Sequence, residues 1–282
     1  MNIPNPAQPV QAREIEHHRL FSLEGKNYVV VGAGSGLGEH VARTIIALGG
    51  SVLGIDINDE PLTALAEELG MAYLVADATT EQGVEIVGKQ AGERFGKLDG
   101  FVDVVGQMHH KDMSEYSLLA WEQDFKTNLG HAFLTGRVLA PMVDQGAIVY
   151  VSSLIAARGG RMAPGYAPAK AALEAWVKQL AQEHGPRGVR VNAVAPGLFL
   201  SPRMSSRQRS DSDEQILRSK PLLGRLGQPF EIAAAIVFLL SPAAGYITGS
   251  TLPVEGGALT REPSGVDELY GLEGASRVGD YS

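Results

Sequence analysis

The chain has 282 residues, of which 44% are hydrophobic and 20% charged, a composition typical of a globular protein with one or two domains. Its formal net charge is −8, and because an acidic surface repels phosphate polymers, we expect no nucleic-acid partner. The sequence contains no cysteine, which excludes disulfides, zinc–thiolate sites and thiol nucleophiles.

Both ends of the chain are polar. Residues 1–22 hold several prolines and then a charged stretch, which predicts an N-terminal polar arm, and residues 261–282 are predicted to form a polar C-terminal tail. The first residues lack the apolar run of a signal peptide, and no stretch of ~18 uninterrupted apolar residues predicts a membrane span. The sequence therefore predicts a cytoplasmic protein with no membrane partner and a single domain over residues 23–260.

Strand and helix patterns alternate between those ends. Short apolar runs rich in β-branched residues predict buried strands at 28–31, 51–56, 72–75, 100–105, 147–151, 189–194 and 250–254. Apolar residues at helical spacing predict helices at 37–48, 60–69, 81–95, 118–143, 166–184 and 229–240. The polar stretch 201–221 is predicted to be a mobile lid or, alternatively, a plain surface loop. This order predicts an α/β Rossmann fold, in which a doubly wound parallel sheet carries helices on both faces.

The first predicted strand runs into a glycine-rich turn at residues 32–38. Gly32 permits a sharp exit from the strand, Gly36 allows the backbone to approach a pyrophosphate, and Gly38 allows the helix to pack close to the sheet. The helix N-terminus offers N–H groups to phosphates, so a dinucleotide site is favoured over an ordinary turn. The predicted cofactor contacts of this turn are Gly32, Ser35, Gly36, Leu37 and Gly38.

An acidic residue closes the second predicted strand. Asp56 is placed to accept hydrogen bonds from both ribose hydroxyls of the adenosine half, and its charge would repel a 2′-phosphate. The sequence therefore predicts NAD as the cofactor rather than NADP, although an Asp at a strand end also caps turns. Asp77 and Ala78, after the third strand, and Gly106, after the fourth, are further predicted cofactor contacts. For Asp77 a plain role in the turn is the alternative.

Tyr166 and Lys170 lie four residues apart in the helix predicted at 166–184, which places them on one face of it. A nearby ammonium favours the phenolate and lowers the pKa of a tyrosine, which otherwise lies near ~10. Tyr166 is then able to take a proton from a substrate hydroxyl. Ser153 follows the fifth strand at the edge where doubly wound folds bind ligands. The tyrosine–lysine spacing alone is common on solvated helix faces. Ser153, the glycine turn and Asp56, all at the sheet edge where a cofactor would lie, are the features that favour a catalytic pair.

Taken together, these motifs resemble the common, shorter branch of the short-chain dehydrogenase/reductase family over about residues 24–258. The matching segments, in chain order, are Val31–Gly38, Lys126–Leu129, Val151–Ser153, Tyr166–Lys170, Asn192–Gly197, Gly224–Pro229, Tyr246–Gly249 and Val254–Gly257. Two departures stand out: Val31 replaces the usual threonine, and the segment 103–106 reads Asp-Val-Val-Gly where the family has Asn-Asn-Ala-Gly.

The resemblance implies a role for each catalytic candidate. Tyr166 would be the general acid/base, and Lys170 would lower its pKa and bind the nicotinamide ribose. Ser153 would hold the substrate oxygen, and Asn128 would order a water that links Lys170 to solvent. The residues implied to line the nicotinamide are Pro196, Gly197, Phe199 and Ser201.

The resemblance also implies a homotetramer, with a dimer face along the helix that carries Trp176 and Leu180, whereas the sequence alone places these two in the core. His109 and His110 follow the fourth strand, but no third ligand stands at a recognised spacing, so no metal site is predicted. The apolar residues that could line a substrate pocket are Met108, Leu154, Met162, Leu198 and Phe199.

The function predicted from these residues is hydride transfer between NAD and a secondary alcohol or ketone. Two alternatives stay open at this point. One is a reductase of carrier-protein-linked 3-oxoacyl groups, an enzyme that usually requires NADPH and a basic patch on its surface. The other is a non-catalytic nucleotide-binding scaffold on the same fold, which would be expected to have lost Tyr166 or Lys170. The substrate itself is not predicted, because fold does not fix it.

Overall fold

The computed structural model describes residues 16–205 and 210–261, so most of the predicted N-terminal arm and the tail from residue 262 lie outside the described residues. The part of the arm that is described begins with a short 3₁₀ turn, His17–Arg19. The carbonyl of Leu20 accepts the N–H of Ala243 at 2.9 Å, which ties this part of the arm to the domain. None of the helices in the described ranges is long and apolar enough to cross a membrane.

Strands and helices alternate along the described chain. The strands are β1 (Asn27–Val31), β2 (Ser51–Asp56), β3 (Ala72–Val75), β4 (Leu98–Asp103), β5 (Val143–Val151), β6 (Arg190–Pro196) and β7 (Thr251–Val254). The helices are α1 (Gly36–Ala47), α2 (Asp59–Leu69), α3 (Glu81–Phe95), α4 (Leu118–Phe125), α5 (His131–Leu139), α6 (Tyr166–His184), α7 (Pro202–Ser205), α8 (Asp211–Arg218) and α9 (Pro229–Leu240).

The strands form one parallel sheet in the order β3-β2-β1-β4-β5-β6-β7, which confirms the doubly wound Rossmann fold. Side chains alternate between the faces of each strand. In β1, Val29 and Val31 join the core on one face, and Tyr28 and Val30 join the core on the other. Helices α3, α5 and α6 cover the first face, and α1 and α9 cover the second. Because both faces of a central strand such as β1 are buried, it reads as a continuous apolar run.

The strand order reverses between β1 and β4. In open α/β sheets, ligands bind at such a switch point, outside the carboxyl ends of the strands. The glycine turn leaves β1 at this edge, and the segment holding Gly106 leaves β4 beside it.

Strand β4 has the predicted length but lies two residues earlier than the sequence predicts, running from Leu98 to Asp103 rather than from 100 to 105. Beyond Asp103, side chains form hydrogen bonds with the N–H and the carbonyl of Val105. The N–H of Val105 donates to Asp103 Oδ1 at 3.1 Å, and its carbonyl accepts from Lys170 Nζ at 3.3 Å. Strand β6 is longer than predicted and runs to Pro196, which lies opposite Val254 at the end of the sheet.

The helix predicted over 118–143 is interrupted. Residues Lys126–Gly130 form a π-helical turn between α4 and α5, a feature that often marks functional sites. A 3₁₀ turn with Pro141 ends the helical region at Met142, and β5 starts at Val143, where it pairs with Leu98. The predicted strand start at 147 was therefore wrong by four residues.

The polar stretch 201–221 also contains regular structure that the sequence analysis missed. Helix α7 occupies Pro202–Ser205, and α8 begins with a capping box between Ser210 and Asp213. Such a box satisfies backbone groups at a helix start and needs no apolar residue, so the apolar pattern did not reveal α8. The predicted mobility of this stretch stays a prediction.

Leu180 and Trp176 differ in their burial. Leu180 lies in the core of the domain, and Trp176 is half-buried, its indole N–H donating to the carbonyl of Ala132 at 3.0 Å. The sequence alone predicts that both residues lie in the core, and the structure confirms this for Leu180.

Candidate active site

A cavity of about 1970 Å³ lies at the carboxyl ends of the strands. It brings together most of the predicted site residues. Those that line it are Gly32, Ser35, Gly36, Leu37, Asp56, Asp77, Ala78, Gly106, Ser153, Tyr166, Lys170, Pro196, Gly197, Phe199 and Ser201. The two predicted residues that do not line it are Gly38 and Asn128, both of which are buried.

Gly38 has a packing role. A Cβ at this position would lie 1.9 Å from the carbonyl oxygen of Gly32, so only glycine lets α1 start this close to the turn. Gly32 itself has φ +89°, a conformation that other residues rarely adopt. The turn therefore needs glycine at both positions before any ligand is considered.

Asp56 is fixed against the glycine turn. Its Oδ2 accepts the N–H of Gly34 at 2.8 Å, and its Oδ1 accepts the N–H of Asn58 at 2.9 Å. The side-chain amide of Asn58 also donates to Oδ1, at 3.1 Å. Oδ2 has a second lone pair, so the group is still able to accept a hydrogen bond from a ligand. Its neighbours in the cavity wall, Ser35 and Ile57, are exposed and carry no positive charge. In the described part of the chain, neither of these two cavity residues near Asp56 is a cation.

Asp77 lines the cavity and also stabilises its own turn. Its Oδ1 accepts from both the N–H and the hydroxyl of Thr79, at 2.9 and 2.7 Å. Part of the carboxylate is therefore used in the turn, as the alternative interpretation held. The adenine contact stays a prediction.

Lys170 is a fully buried cation on α6. Its Nζ donates to the carbonyls of Val151 at 2.8 Å and Val105 at 3.3 Å, so the ends of β5 and β4 hold it. Burial lowers the pKa of Lys170 to about 8, and the carboxylate of Asp103 opposes that shift. A Cβ on Gly106 would lie 2.9 Å from Nζ, so glycine there makes room for the ammonium.

Tyr166 is the first residue of α6 and is half-buried at the cavity wall. The Nζ of Lys170 lies 5.9 Å from the centre of its ring. The preceding residue, Gly165, packs against Tyr116 and Asp124, where a side chain would not fit. This close packing fixes the start of the helix that carries the phenol.

The two consecutive serines after β5 differ in their surroundings. Ser152 is buried, and its hydroxyl donates to Glu174 on α6 at 2.7 Å. Ser153 is half-buried at the cavity wall and caps the short turn that follows, accepting from Ile155 only at 3.4 Å. Ser153 is thus the one whose hydroxyl is available to a ligand oxygen.

Asn128 lies in the π-helical turn and joins it to the segment after β4. Its side chain accepts the N–H of Gln107 at 2.8 Å and donates to the carbonyls of Gln107 and Asp124, both at 2.9 Å. A Cβ on Gly106 would lie 3.1 Å from its Oδ1 and 2.9 Å from the Nζ of Lys170, so both groups flank this glycine. The implied water between Asn128 and Lys170 stays a prediction.

A buried polar network beneath Lys170 was not found from the sequence. Asp103 Oδ2 accepts from His131 Nδ1 at 2.8 Å and from the hydroxyl of Thr135 at 3.0 Å, and all three side chains are fully buried. The His131 Nε2 atom has no hydrogen-bond partner among the described residues. Asp103 was noted only as a departure from the family pattern. A polar residue inside an apolar strand followed by a helical histidine was the available signal.

We expect Asp103→Asn to lower the free energy of unfolding by about 1–3 kcal/mol, because an amide cannot accept all three hydrogen bonds of the carboxylate. Urea denaturation at pH 7 measures this. The matched control is Asp144→Asn, whose side chain is 54% exposed in an ion pair with Lys97, so this substitution should change the free energy of unfolding much less. An equal loss in both variants would contradict the role assigned to the network.

The histidines after β4 differ. His109 Nδ1 lies 2.7 Å from Oδ1 of the buried Asp124, whose Oδ2 accepts from Tyr116 at 2.5 Å. His110 lines the cavity, as do four of the predicted apolar residues, whereas Met162 lines a separate small hollow. Cavity residues that the sequence analysis did not single out include Arg158, Lys220 and Arg261. They lie in segments without a family motif, so no pattern revealed them.

Comparison with known proteins matches residues 32–259 to a family model described as enoyl-(acyl carrier protein) reductase. A 3-oxoacyl-[acyl-carrier-protein] reductase of Vibrio harveyi is 34% identical over 242 residues, covering 84% of this chain and 98% of that protein.

Two solved structures are similar throughout the domain. A 7α-hydroxysteroid dehydrogenase complexed with NADH and 7-oxo glycochenodeoxycholic acid has TM-score 0.81 and 30% identity, covering 86% of this chain and 98% of the other. The RhlG/NADP complex of Pseudomonas aeruginosa has TM-score 0.81 and 26% identity, covering 86% and 99%. With the family match spanning most of the domain and the strand order and cavity described above, the chain belongs to the short-chain dehydrogenase/reductase family of oxidoreductases.

Proposed function

We propose that this oxidoreductase transfers a hydride between NAD(H) and a secondary alcohol or ketone. The observation that supports this most strongly is the placement of Tyr166, Lys170 and Ser153 in the wall of the same cavity as the glycine turn and Asp56. A scaffold without catalysis would not need a buried lysine held beside a tyrosine, since burying an ammonium costs several kcal/mol.

The residues present fit a dinucleotide. The cavity extends from Asp56 at the end of β2 to Ser153 after β5, and its volume exceeds the roughly 300–1,000 Å³ of ordinary ligand pockets. The start of α1 faces it with Ser35 and Gly36, where backbone N–H groups suit a phosphate. When bound, the dinucleotide would supply or accept the hydride at its nicotinamide.

In alcohol oxidation, Tyr166 accepts the proton of the substrate hydroxyl, and in ketone reduction it returns a proton to the carbonyl oxygen. Ser153 donates a hydrogen bond to the same substrate oxygen and so orients it. Lys170, fixed by the carbonyls of Val105 and Val151, favours the phenolate through its charge, and its ammonium would donate to the nicotinamide ribose of a bound dinucleotide. Asn128 keeps the segment after β4 in place beside Lys170.

NAD is proposed over NADP because of Asp56. Its carboxylate is fixed at the end of β2, where the adenosine ribose of a dinucleotide lies in this fold. Structural neighbours with NADH and with NADP both exist, so the argument depends on this residue. The homotetramer stays a prediction from the family resemblance.

A second candidate is reduction of a carrier-linked 3-oxoacyl group, favoured by the similarity to the Vibrio harveyi enzyme. The two candidates differ in cofactor and in substrate. NADPH-dependent reduction of a 3-oxoacyl thioester, together with no oxidation of simple alcohols, would favour the second.

The test is a panel of cyclic, steroidal and aliphatic secondary alcohols with NAD, followed by absorbance at the wavelength of NADH. We expect NADH to form with at least one class, and the matching ketone to be reduced with NADH. NADH fluorescence titration of the same preparation is the control for cofactor binding. Binding of NADH without turnover of any alcohol, ketone or 3-oxoacyl thioester would favour the non-catalytic scaffold instead.

A further inference from the structure

The charged residues of the cavity are segregated. The only carboxylates in its described lining are Asp56 and Asp77, at the end of β2 and after β3. The strongly basic residues of the lining, apart from Lys170, are Arg158, Lys220 and Arg261. The chain has a net charge of −8, so its surface carries more carboxylates than cations on average. A group of three cations that includes no carboxylate departs from that average.

The cations belong to the substrate end of the cavity. Arg158 is five residues beyond Ser153, which follows β5. Strands β1 and β4 separate β5 from β2, and with neighbouring strands ~4.8 Å apart the ends of β2 and β5 lie roughly 14 Å apart. A charge near Arg158 is therefore too far from Asp56 to serve the adenosine ribose.

Hydrogen bonds to backbone carbonyls bring the three cationic segments together. Arg158 Nη1 donates to the carbonyl of Ala258 at 3.1 Å, and Arg261 donates to the carbonyl of Ser219, the neighbour of Lys220. The segment after α8 is tied to the one after β7 by further backbone contact, Leu223 N–H to the carbonyl of Gly256 at 3.1 Å. Three separate parts of the chain thus place positive charge on one side of the cavity.

No described side chain neutralises these charges. Among residues 16–205 and 210–261, the ion pairs involve neither Arg158, Lys220 nor Arg261. Glu255, on the same segment as Ala258, does not line the cavity, and its Oε2 accepts the N–H of Leu259 at 2.8 Å. The bonds to neutral carbonyls leave the positive charge available to an anion.

Apolar side chains complete this part of the wall, namely Met108, Leu154, Leu198 and Leu222. We propose that the substrate is an anionic amphipathic ketone or alcohol: its reacting carbon lies at Tyr166 and Ser153, an apolar body follows, and a carboxylate or phosphate at its far end binds the cations of the three segments. This inference rests on the proposed hydride transfer for the placement of the reacting carbon.

Binding without chemistry tests the anion site directly. Isothermal titration of the full chain, in the presence of NADH, compares decanoate, decyl phosphate and neutral decanamide, none of which has a ketone. We expect at least one anion to bind about tenfold or more tightly than the amide, because hydrogen bonds to charged groups are the stronger ones. The anion that binds more tightly identifies the group on the substrate. Decanamide binding as tightly as both anions would overturn the proposal.

Charge-removing variants locate the effect. In the double variant Arg158→Gln/Lys220→Gln, the preference for the anion should fall by about tenfold. In the unaltered protein, the same preference should weaken with added salt, because these side chains are exposed. The control is Lys89→Gln, in α3, which is 77% exposed and does not line the cavity. It removes one positive charge outside the cavity and should leave the preference unchanged. An unchanged preference in the double variant overturns the proposal.

Turnover separates this inference from the proposed function. Oxo fatty acids of eight to twelve carbons are offered to the enzyme with NADH, each as the free acid and as its methyl ester. A higher kcat/KM for the acid, lost in the double variant, supports both. Anion binding without reduction of any ketone would overturn the hydride-transfer proposal and leave the anion site standing. If decanoate is the anion that binds more tightly, equal kcat/KM for acid and ester would overturn the anion site alone; if decyl phosphate binds more tightly, the same comparison is made between a phosphate monoester of an oxo alcohol and the neutral oxo alcohol.

Discussion

Replacing Tyr166 by Phe is expected to lower kcat by roughly 10²–10⁴-fold, the usual contribution of a positioned general acid or base, while NADH affinity stays within about twofold. The substitution removes one hydroxyl at the cavity wall and keeps the ring at the start of α6. Steady-state kinetics with the best alcohol from the panel and NADH fluorescence titration measure the two quantities.

The matched control is Tyr246→Phe, which deletes the same hydroxyl from a fully exposed ring outside the cavity. It should change neither turnover nor NADH affinity. Retained turnover in Tyr166→Phe would mean that another group moves the proton. A large loss of NADH affinity in that variant would mean that the tyrosine serves binding rather than proton transfer.

Much of the architecture could be predicted because it depends on short-range patterns. The apolar runs that became β1 and β2 read as strands because both of their faces are buried, and the edge strand β3 reads as one from its short apolar run. The structure confirms all three to within a residue. Parallel strands then bring their carboxyl ends to one edge. For that reason residues as distant in sequence as Asp56 and Ser153 could be expected in one cavity.

What could not be predicted depends on contacts between distant segments. The end of β4 is set by Asp103 and Lys170, which capture the backbone of Val105, and no local pattern carries that information. The π-helical turn is accompanied by hydrogen bonds from Asn128 to Gln107, twenty-one residues earlier.

The cationic side of the cavity escaped the sequence analysis for the same reason. Arg158, Lys220 and Arg261 span just over a hundred residues of the chain, and their segments meet through hydrogen bonds from side chains to backbone carbonyls, such as that from Arg158 to Ala258. Read singly, each is an ordinary exposed charge. Only the three-dimensional structure shows that all three line the same cavity. We expect substrate specificity to lie in this part of the cavity wall.

Asp56 should give a preference for NADH over NADPH of about 100-fold or more in dissociation constant, because a carboxylate beside a 2′-phosphate costs several kcal/mol. In Asp56→Asn we expect the ratio to fall to within about tenfold, mainly through tighter NADPH binding. Asparagine keeps one acceptor oxygen, which replaces the carboxylate toward the N–H of Gly34 or that of Asn58 but not both. Both dinucleotides contact the same turn, so the ratio of the two dissociation constants, rather than either constant alone, reports the effect of the charge. Fluorescence titration with both dinucleotides measures the ratio.

Asp77→Asn is the matched control, because it removes a carboxylate from the same cavity at a position whose Oδ1 is already engaged by Thr79. If the preference arises from charge at the ribose, this variant should keep the ratio of the unaltered protein. Two results would contradict the assignment of NAD: equal affinities in the unaltered protein, or a shift in Asp77→Asn as large as that in Asp56→Asn. The second would indicate that the overall negative charge of this end of the cavity, rather than the contact at Asp56, disfavours NADPH.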